Sequence, residues 1–216
     1  PDMRTARLAT QPELLLDERH FEDARAVLHD LHSSGPRHVA TLRLMLRAEQ
    51  GLQNWDEVLR IVRQLEKRGA MTPEAARQLS VTAVNENLRK KAIGAEEVRD
   101  FWKRIGPDLQ RERRIVGTAA RLFMRLGDCR TAHAIIREAL TSQWDEDLVR
   151  LYGECEDSDS FDRLEQAERW LEEHPRDPSL LLTLGRLCIM RELWGKAQSY
   201  LEASLSERET RSAHID

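Results

Sequence analysis

One short residue pattern recurs along the chain and constrains its fold more than any other feature. A bulky or sulfur-containing residue is followed three positions later by a small residue, and two apolar residues follow three and four positions after that. Copies of the pattern begin at Phe21, Trp55, Cys129, Leu164 and Trp194. The small residues lie 34 positions apart at Ala24 and Val58, 35 apart at Ala132 and Ala167, and 30 apart at Ala167 and Ala197. A period near 34 residues is typical of stacked helix pairs, in which a small residue on the second helix lets the first approach closely.

Apolar spacing throughout the chain is helical. Val58, Ile61, Val62 and Leu65 recur at intervals of three and four, which places them on one stripe of a helix. No segment alternates apolar and polar residues for long enough to predict a strand. Glycine, proline and other turn-forming residues interrupt the helical pattern at residues 33–36, 68–69, 94, 106–107, 127–128 and 174–178. We therefore predict an all-α fold of antiparallel helix pairs.

The copies predict five units within a single domain that covers residues 1–216. The units are placed near residues 5–36, 39–69, 112–142, 146–175 and 178–207. In the fourth unit, an acidic and turn-prone stretch over residues 153–160 replaces the end of the first helix.

The interval between the second and third units exceeds two periods and predicts an insertion. Thr72 is expected to cap a helix that has Pro73 in its first turn and runs to about residue 92. A second helix is expected over residues 95–105. The insertion over residues 72–106 is expected to keep the stack continuous while changing its curvature.

These units resemble tetratricopeptide repeats. In the last copy, Leu181, the pair Leu184-Gly185 and Cys188 occupy the places where that repeat has a large residue, Leu-Gly and an aromatic residue. The resemblance implies an α-α superhelix, a right-handed helical solenoid whose first helices line a concave face.

The second half of the chain resembles the C-terminal repeat region of the HemY proteins of proteobacteria. The resemblance rests on residues 141–153 (TSQWDEDLVRLYG), 166–175 (QAERWLEEHP), 180–188 (LLLTLGRLC), 193–197 (LWGKA) and 200–205 (YLEASL), and extends weakly to residues 36–38 and Trp55. It implies a non-enzymatic protein-interaction scaffold linked to late haem biosynthesis, with haem-biosynthesis enzymes as candidate partners. It also implies that the protein is held at the inner membrane by an N-terminal anchor and that this region faces the cytoplasm. Pro1 is therefore expected to be a truncation point.

Composition narrows the classes of partner. Lysine and arginine total 34 against 38 aspartate and glutamate residues, and the net charge of −4 does not favour nucleic-acid binding. No run approaches the roughly 20 apolar residues of a membrane helix, so this part of the chain is expected to be soluble. Cys129, Cys155 and Cys188 form no CxxC pair, and each is expected to be a small buried residue in a reducing compartment.

We expect no catalytic residue, metal or cofactor. No nucleophile elbow, phosphate loop or paired-carboxylate signature is found. His29 and His32 lie three apart but lack further ligands at a metal-site spacing. The alternative is that haem or a porphyrin binds in the concave groove, with His133, His174 or a cysteine as ligand.

The tryptophans are interpreted as packing residues. Trp55, Trp170 and Trp194 occupy repeat-core positions. Trp144 lies at a repeat junction, where it wedges two units together or contacts a partner, and packing is the favoured interpretation.

A basic groove is the candidate binding site. The tetratricopeptide register places Arg43, Arg47, Arg114, Arg121, Arg125 and Arg186 on the concave face. Arginine suits carboxylates, which peptide termini, acidic side chains and porphyrin propionates all offer. The alternative is that these arginines are solvated and paired with glutamates such as Glu49 or Glu112. Association of the chain with itself through an uncapped end of the stack is a further possibility.

Overall fold

The computed structural model describes residues 11–34, 39–155 and 160–213. These residues form thirteen helices and no strand, which confirms the predicted all-α class. Predictions for residues 5–10, 35–38 and 156–159 lie outside the described residues. The helices are α1 (residues 11–17), α2 (Phe21–Ser34), α3 (Val39–Gly51), α4 (Trp55–Lys67), α5 (Pro73–Lys90), α6 (Ala95–Arg104), α7 (Pro107–Gln110), α8 (Arg113–Arg125), α9 (Cys129–Ser142), α10 (Glu146–Tyr152), α11 (Ser160–Glu173), α12 (Pro178–Met190) and α13 (Trp194–Ala213).

The predicted insertion contains two helices, α5 and α6. The Thr72 hydroxyl accepts a hydrogen bond of 3.3 Å from the Ala75 amide, which confirms its role as a cap. Helix α5 ends at Lys90, two residues before the predicted end. Residues 91–93 form a turn instead of continuing the helix. The short helix α7 was not predicted from the sequence.

The turn between paired helices has the same backbone geometry at four places. Two positions before the second helix, φ is positive, between 55° and 80°, at Arg19, Gln53, Gly127 and Glu192. At the third of these turns, the Asp128 amide donates to the Phe123 carbonyl at 2.8 Å. Equivalent bonds start from the amides of His20, Asn54 and Leu193. These bonds satisfy carbonyls left free at the end of the first helix, so the repeat in the sequence is matched by a repeated turn.

Asp128 also begins α9 as its N-cap residue. Its carboxylate accepts hydrogen bonds from the Thr131 amide and hydroxyl and forms an ion pair of 2.5 Å with Arg99 of α6. Burial alone would raise the pKa of Asp128, but these hydrogen bonds and the Arg99 charge outweigh it and lower that pKa.

Replacing Asp128 by asparagine should therefore remove a pH-dependent part of the stability. A carboxylate whose pKa is lower in the folded state stabilises the fold above about pH 4, and this contribution is lost as the pH falls through the folded pKa. Urea unfolding should give Asp128→Asn a much lower free energy of unfolding than the parent at pH 7. At pH 3 the two free energies should be closer. An equal difference at both pH values would contradict this role.

Contacts divide the chain into two compact units, with the division between Asn87 and Leu88. In the first unit α3 packs against α2 and α4, and the Asn87 side chain donates to Asp56 at 3.1 Å. In the second unit α8 packs against α6, α7, α9 and α10. Helix α10 also contacts α9 and α12, and α12 contacts α11 and α13. The first helices α8, α10 and α12 therefore lie side by side in the second unit.

The small residues of the repeat lie at close helix contacts, as predicted. Ala24, Val58, Ala132, Ala167 and Ala197 are all buried. Between α12 and α13, a Cβ atom on Gly185 would lie only 2.6 Å from the Leu201 Cδ2 atom. A side chain at position 185 would therefore require the Leu201 side chain to move.

Enlarging one of these small residues should overpack the helix contact. Ala197 is 3% exposed in α13, so Ala197→Leu is expected to lower the free energy of unfolding by roughly 1 to 3 kcal/mol. The exposed neighbour Gln198 provides the control, because Gln198→Leu should change stability by less than about 0.5 kcal/mol. Chemical unfolding of both variants tests the register, which is wrong if Ala197→Leu unfolds like the parent.

The tryptophans differ in burial. Trp55 and Trp170 are half-buried, but Trp194 is 64% exposed, so its prediction as a core residue is wrong. Trp194 is the first residue of α13, and no later helix among the described residues covers it. Trp144 stacks on His174 with ring centroids 3.7 Å apart, and its indole N–H donates to Asp177 at 2.7 Å. Trp144 therefore packs against residues about 30 positions away in the chain.

The expectation of three separate cysteines is wrong for two of them. Cys129, at the start of α9, and Cys155, after α10, form a disulfide with their Cα atoms 6.1 Å apart. Spacing alone did not reveal this pair, because packing of α10 against α9 brings together residues 26 positions apart. Cys188 is free and buried, and burial raises the pKa of its thiol.

Candidate functional site

Helix α8 presents three of the predicted arginines on one exposed stripe. Arg114, Arg121 and Arg125 are separated by seven and four residues, so they lie on the same side of the helix. The opposite side is buried by Ile115, Val116, Ala119, Ala120, Leu122 and Phe123. We call Arg114, Arg121 and Arg125 the arginine face.

The side chain of Arg121 lies flat along α8. A Cβ atom on Gly117 would be 3.3 Å from the Arg121 Nη1 atom and 3.8 Å from Leu148 of α10. The guanidinium donates a long hydrogen bond of 3.4 Å to the Gly117 carbonyl. Glycine at position 117 thus leaves room for Arg121 between α8 and α10.

The other two guanidinium groups of the arginine face are not engaged. The guanidinium groups of Arg114 and Arg125 form no ion pair or hydrogen bond with any residue that the structure describes. Their neighbour Arg113 instead pairs at 3.3 Å with Asp145, which caps α10. The arginine face therefore exposes positive charge that no described residue neutralises at short range.

The neighbouring first helices α10 and α12 also carry arginines, but each of these has a carboxylate nearby. On α10, Arg150 pairs with Asp147. On α12, Arg186 lies 3.9 Å from Glu154, and these two side chains are 41% and 55% exposed. A pair this long and this exposed is weak, so Arg186 is open to competition from another carboxylate.

Arg43 and Arg47 belong to the first unit and are both engaged. Arg43 donates to the Ala70 carbonyl at 2.9 Å, and Arg47 pairs with Asp17 at 3.0 Å. The structure thus brings together Arg114, Arg121 and Arg125, places Arg186 two helices away in the same unit, and leaves the other two predicted arginines in a different unit.

Glu49, which the alternative interpretation named as an example of an arginine partner, has a different contact. Its side chain is 3% exposed and accepts a hydrogen bond of 2.9 Å from Asn54. Burial raises the pKa of Glu49, although the Asn54 hydrogen bond and the charge of Arg25 oppose this effect. Glu112 stands at the N-cap position of α8.

The histidines considered as ligands have packing contacts. His133 is 6% exposed, its Nε2 atom lies 3.1 Å from the Glu154 carbonyl oxygen, and its ring meets Tyr152 edge-on. His174 stacks on Trp144. Within residues 11–34, 39–155 and 160–213, no group of three or more histidine, cysteine, aspartate and glutamate side chains is arranged to hold a metal ion.

Sequence reasoning missed the buried Arg163 of α11. This residue is 2% exposed, and its guanidinium donates to the carbonyls of Tyr152 and Glu154 at 3.1 Å and of Cys155 at 2.8 Å. The signal was present, because Arg163 lies four residues before Ala167 and seven before Trp170, on the inward stripe of the helix. Arg163 and the disulfide together hold the turn that follows α10.

None of the described helices combines the length and apolar character needed to cross a membrane. No protein-family model matches the sequence, and no curated protein matches it either.

Proposed function

We propose that this chain is a non-enzymatic protein-interaction scaffold of the tetratricopeptide type, which holds an acidic segment of a partner protein on its arginine face. The observation that carries the proposal is the exposed stripe of Arg114, Arg121 and Arg125. Two of these guanidinium groups have no partner among the described residues, and the third has one long hydrogen bond to its own helix.

The arrangement suits a carboxylate-rich ligand for two reasons. The arginines project from one rigid helix, so little conformational entropy is lost in ordering the site. Planar guanidinium groups also form paired hydrogen bonds with carboxylates. Because the stripe is exposed, the attraction is expected to weaken as salt is added.

Charge reversal on the arginine face tests the proposal. The immobilised chain is incubated with a proteobacterial membrane extract, and captured proteins are quantified for the parent and for the double variant Arg121→Glu/Arg125→Glu. The control Arg63→Glu/Arg104→Glu makes the same change in net charge at two other exposed arginines. Loss of specific partners in the first variant alone supports the proposal, and capture that is equal in all three proteins contradicts it.

The resemblance to HemY proteins supports a setting for this activity. In that setting the partner would be an enzyme of late haem biosynthesis, and the chain would be held at the inner membrane facing the cytoplasm. The competing function is porphyrin handling, in which propionates occupy the arginine face. A haem titration followed at the Soret band separates the two, because a saturable shift that disappears in Arg121→Glu/Arg125→Glu would favour porphyrin binding.

A further inference from the structure

A groove lies in the same unit as the arginine face, between the second helices α9 and α11. One cavity of about 310 Å³ and an adjacent one of about 410 Å³ both have Ala134 and Arg137 in their walls. Because the two cavities share these residues, they form one groove, which we call the α9–α11 groove. None of the six arginines predicted from the sequence lines it.

The dimensions of the α9–α11 groove fit an extended peptide. On α9 the lining runs from Arg130 to Thr141, a distance of about 16 Å along the helix axis. An extended chain advances about 3.3 Å per residue, so the groove accommodates about five residues.

One end of the groove is cationic and its base is buried. Arg130 and Arg137 stand on α9, and the buried side chains of His133, Tyr152 and Arg163 form the base. Arg137 is exposed, and its guanidinium makes no ion pair or hydrogen bond with a residue in the described part of the chain. Among the lining residues that the structure describes, Asp162 and Glu138 are the two carboxylates beside three arginines.

The other end of the groove adds an aromatic surface on α11, the Trp170 ring. Trp170, Ala134 and Thr141 line it together with Gln166. The Trp170 ring is held in place by edge contacts with Trp144 and Tyr152, with centroids 5.7 and 4.9 Å apart. Arg137 borders this end as well, so a carboxylate and an apolar side chain on neighbouring ligand residues would each find a matching surface.

We propose that the α9–α11 groove binds a short extended segment of a partner protein in which acidic and apolar residues alternate. Alternate side chains of an extended peptide point to opposite sides, so its carboxylates can face Arg137 and Arg130 on α9 while its apolar side chains face Trp170 on α11. This site is separate from the arginine face, and it does not depend on the function proposed for that face.

A defined peptide tests the groove. The probe is a fluorescein-labelled hexapeptide of alternating glutamate and leucine with blocked ends, and its binding to the full chain is followed by fluorescence polarisation. A matched peptide of alternating glutamine and leucine measures the contribution of charge. Two variants alter the groove at exposed positions, Arg137→Glu by charge and Ala134→Trp by filling it. Ala26→Trp, at an exposed alanine of α2, and Arg63→Glu, at an exposed arginine of α4, are the controls, and Arg121→Glu reports whether the peptide binds the arginine face instead.

The proposal predicts saturable binding of the glutamate peptide to the parent. Binding should be weakened about tenfold or more by Arg137→Glu and by Ala134→Trp, and left within about twofold by both controls. The glutamine peptide should bind about tenfold more weakly. Absence of saturable binding, or unchanged affinity in Arg137→Glu and Ala134→Trp, would overturn the proposal. Loss of binding in Arg121→Glu alone would assign the peptide to the arginine face instead.

Discussion

Replacing Arg163 by methionine should lower the free energy of unfolding by about 3 kcal/mol. Arg163 is 2% exposed, and its guanidinium donates hydrogen bonds to the carbonyls of Tyr152, Glu154 and Cys155. Methionine fills a similar volume but cannot donate a hydrogen bond. These carbonyls would then accept hydrogen bonds only from water that enters from the adjoining cavity. Each buried carbonyl left without a donor costs about 1 to 3 kcal/mol, and partial hydration reduces the total.

Arg169 of the same helix provides the matched control. It is exposed and pairs with Glu165 one turn away at 2.6 Å. An exposed pair of this kind contributes about 0.5 kcal/mol or less, so Arg169→Met should unfold close to the parent in urea. The free energy of unfolding of Arg163→Lys should fall between those of the parent and Arg163→Met, because one ammonium group cannot reach all three carbonyls. Equal stability of Arg163→Met and Arg169→Met would show that the buried hydrogen bonds do not stabilise the turn.

Reduction of the Cys129–Cys155 disulfide is the second change with a large expected effect. The bond closes a loop between residues 26 positions apart, and its loss lets the unfolded chain explore more conformations. A loop of this length corresponds to about 3 kcal/mol. Urea unfolding of the oxidised chain, with and without a phosphine reductant, should show that difference.

The double variant Cys129→Ser/Cys155→Ser controls for other effects of the reductant. Its stability should be close to that of the reduced parent and should not respond to the reductant. Peptide mapping without reduction should recover the segments containing Cys129 and Cys155 as one linked species, while Cys188, which is 0% exposed, stays unmodified by alkylating reagents in the folded protein. Rapid alkylation of Cys129 in the untreated folded chain would contradict the disulfide.

The disulfide and Arg163 act on the same short segment, so their effects should not be additive. Arg163 donates a hydrogen bond to the Cys155 carbonyl, and the disulfide joins the side chain of Cys155 to Cys129. Once one restraint is removed, the turn is freer to move. The contribution of the other restraint to the free energy of unfolding therefore changes. A double-mutant cycle of Arg163→Met with Cys129→Ser/Cys155→Ser measures this coupling.

The order of the helices follows from the sequence because local patterns determine it. Apolar residues at intervals of three and four predict helices, and turn-forming residues such as Gly127 and Asp128 separate them. The buried small residues Ala132 and Ala167 were also predicted, since the repeat places them on the inward stripe. The tetratricopeptide register implied by the resemblance selected Arg114, Arg121 and Arg125, and these three residues lie on one exposed side of α8.

What the sequence alone could not determine depends on which residues packing brings together. Whether an arginine is engaged is decided by residues distant in the chain: Arg47 meets Asp17, while Arg114 meets no described partner. The pairing of Cys129 with Cys155 and the closure of the α9–α11 groove likewise require neighbouring helices to be in place. The sequence by itself thus determined the helices and the sides they expose, because these depend on interactions within a few residues. Only the tertiary structure decided which charges are neutralised, which cysteines are joined and where a cavity remains, because these depend on contacts between helices.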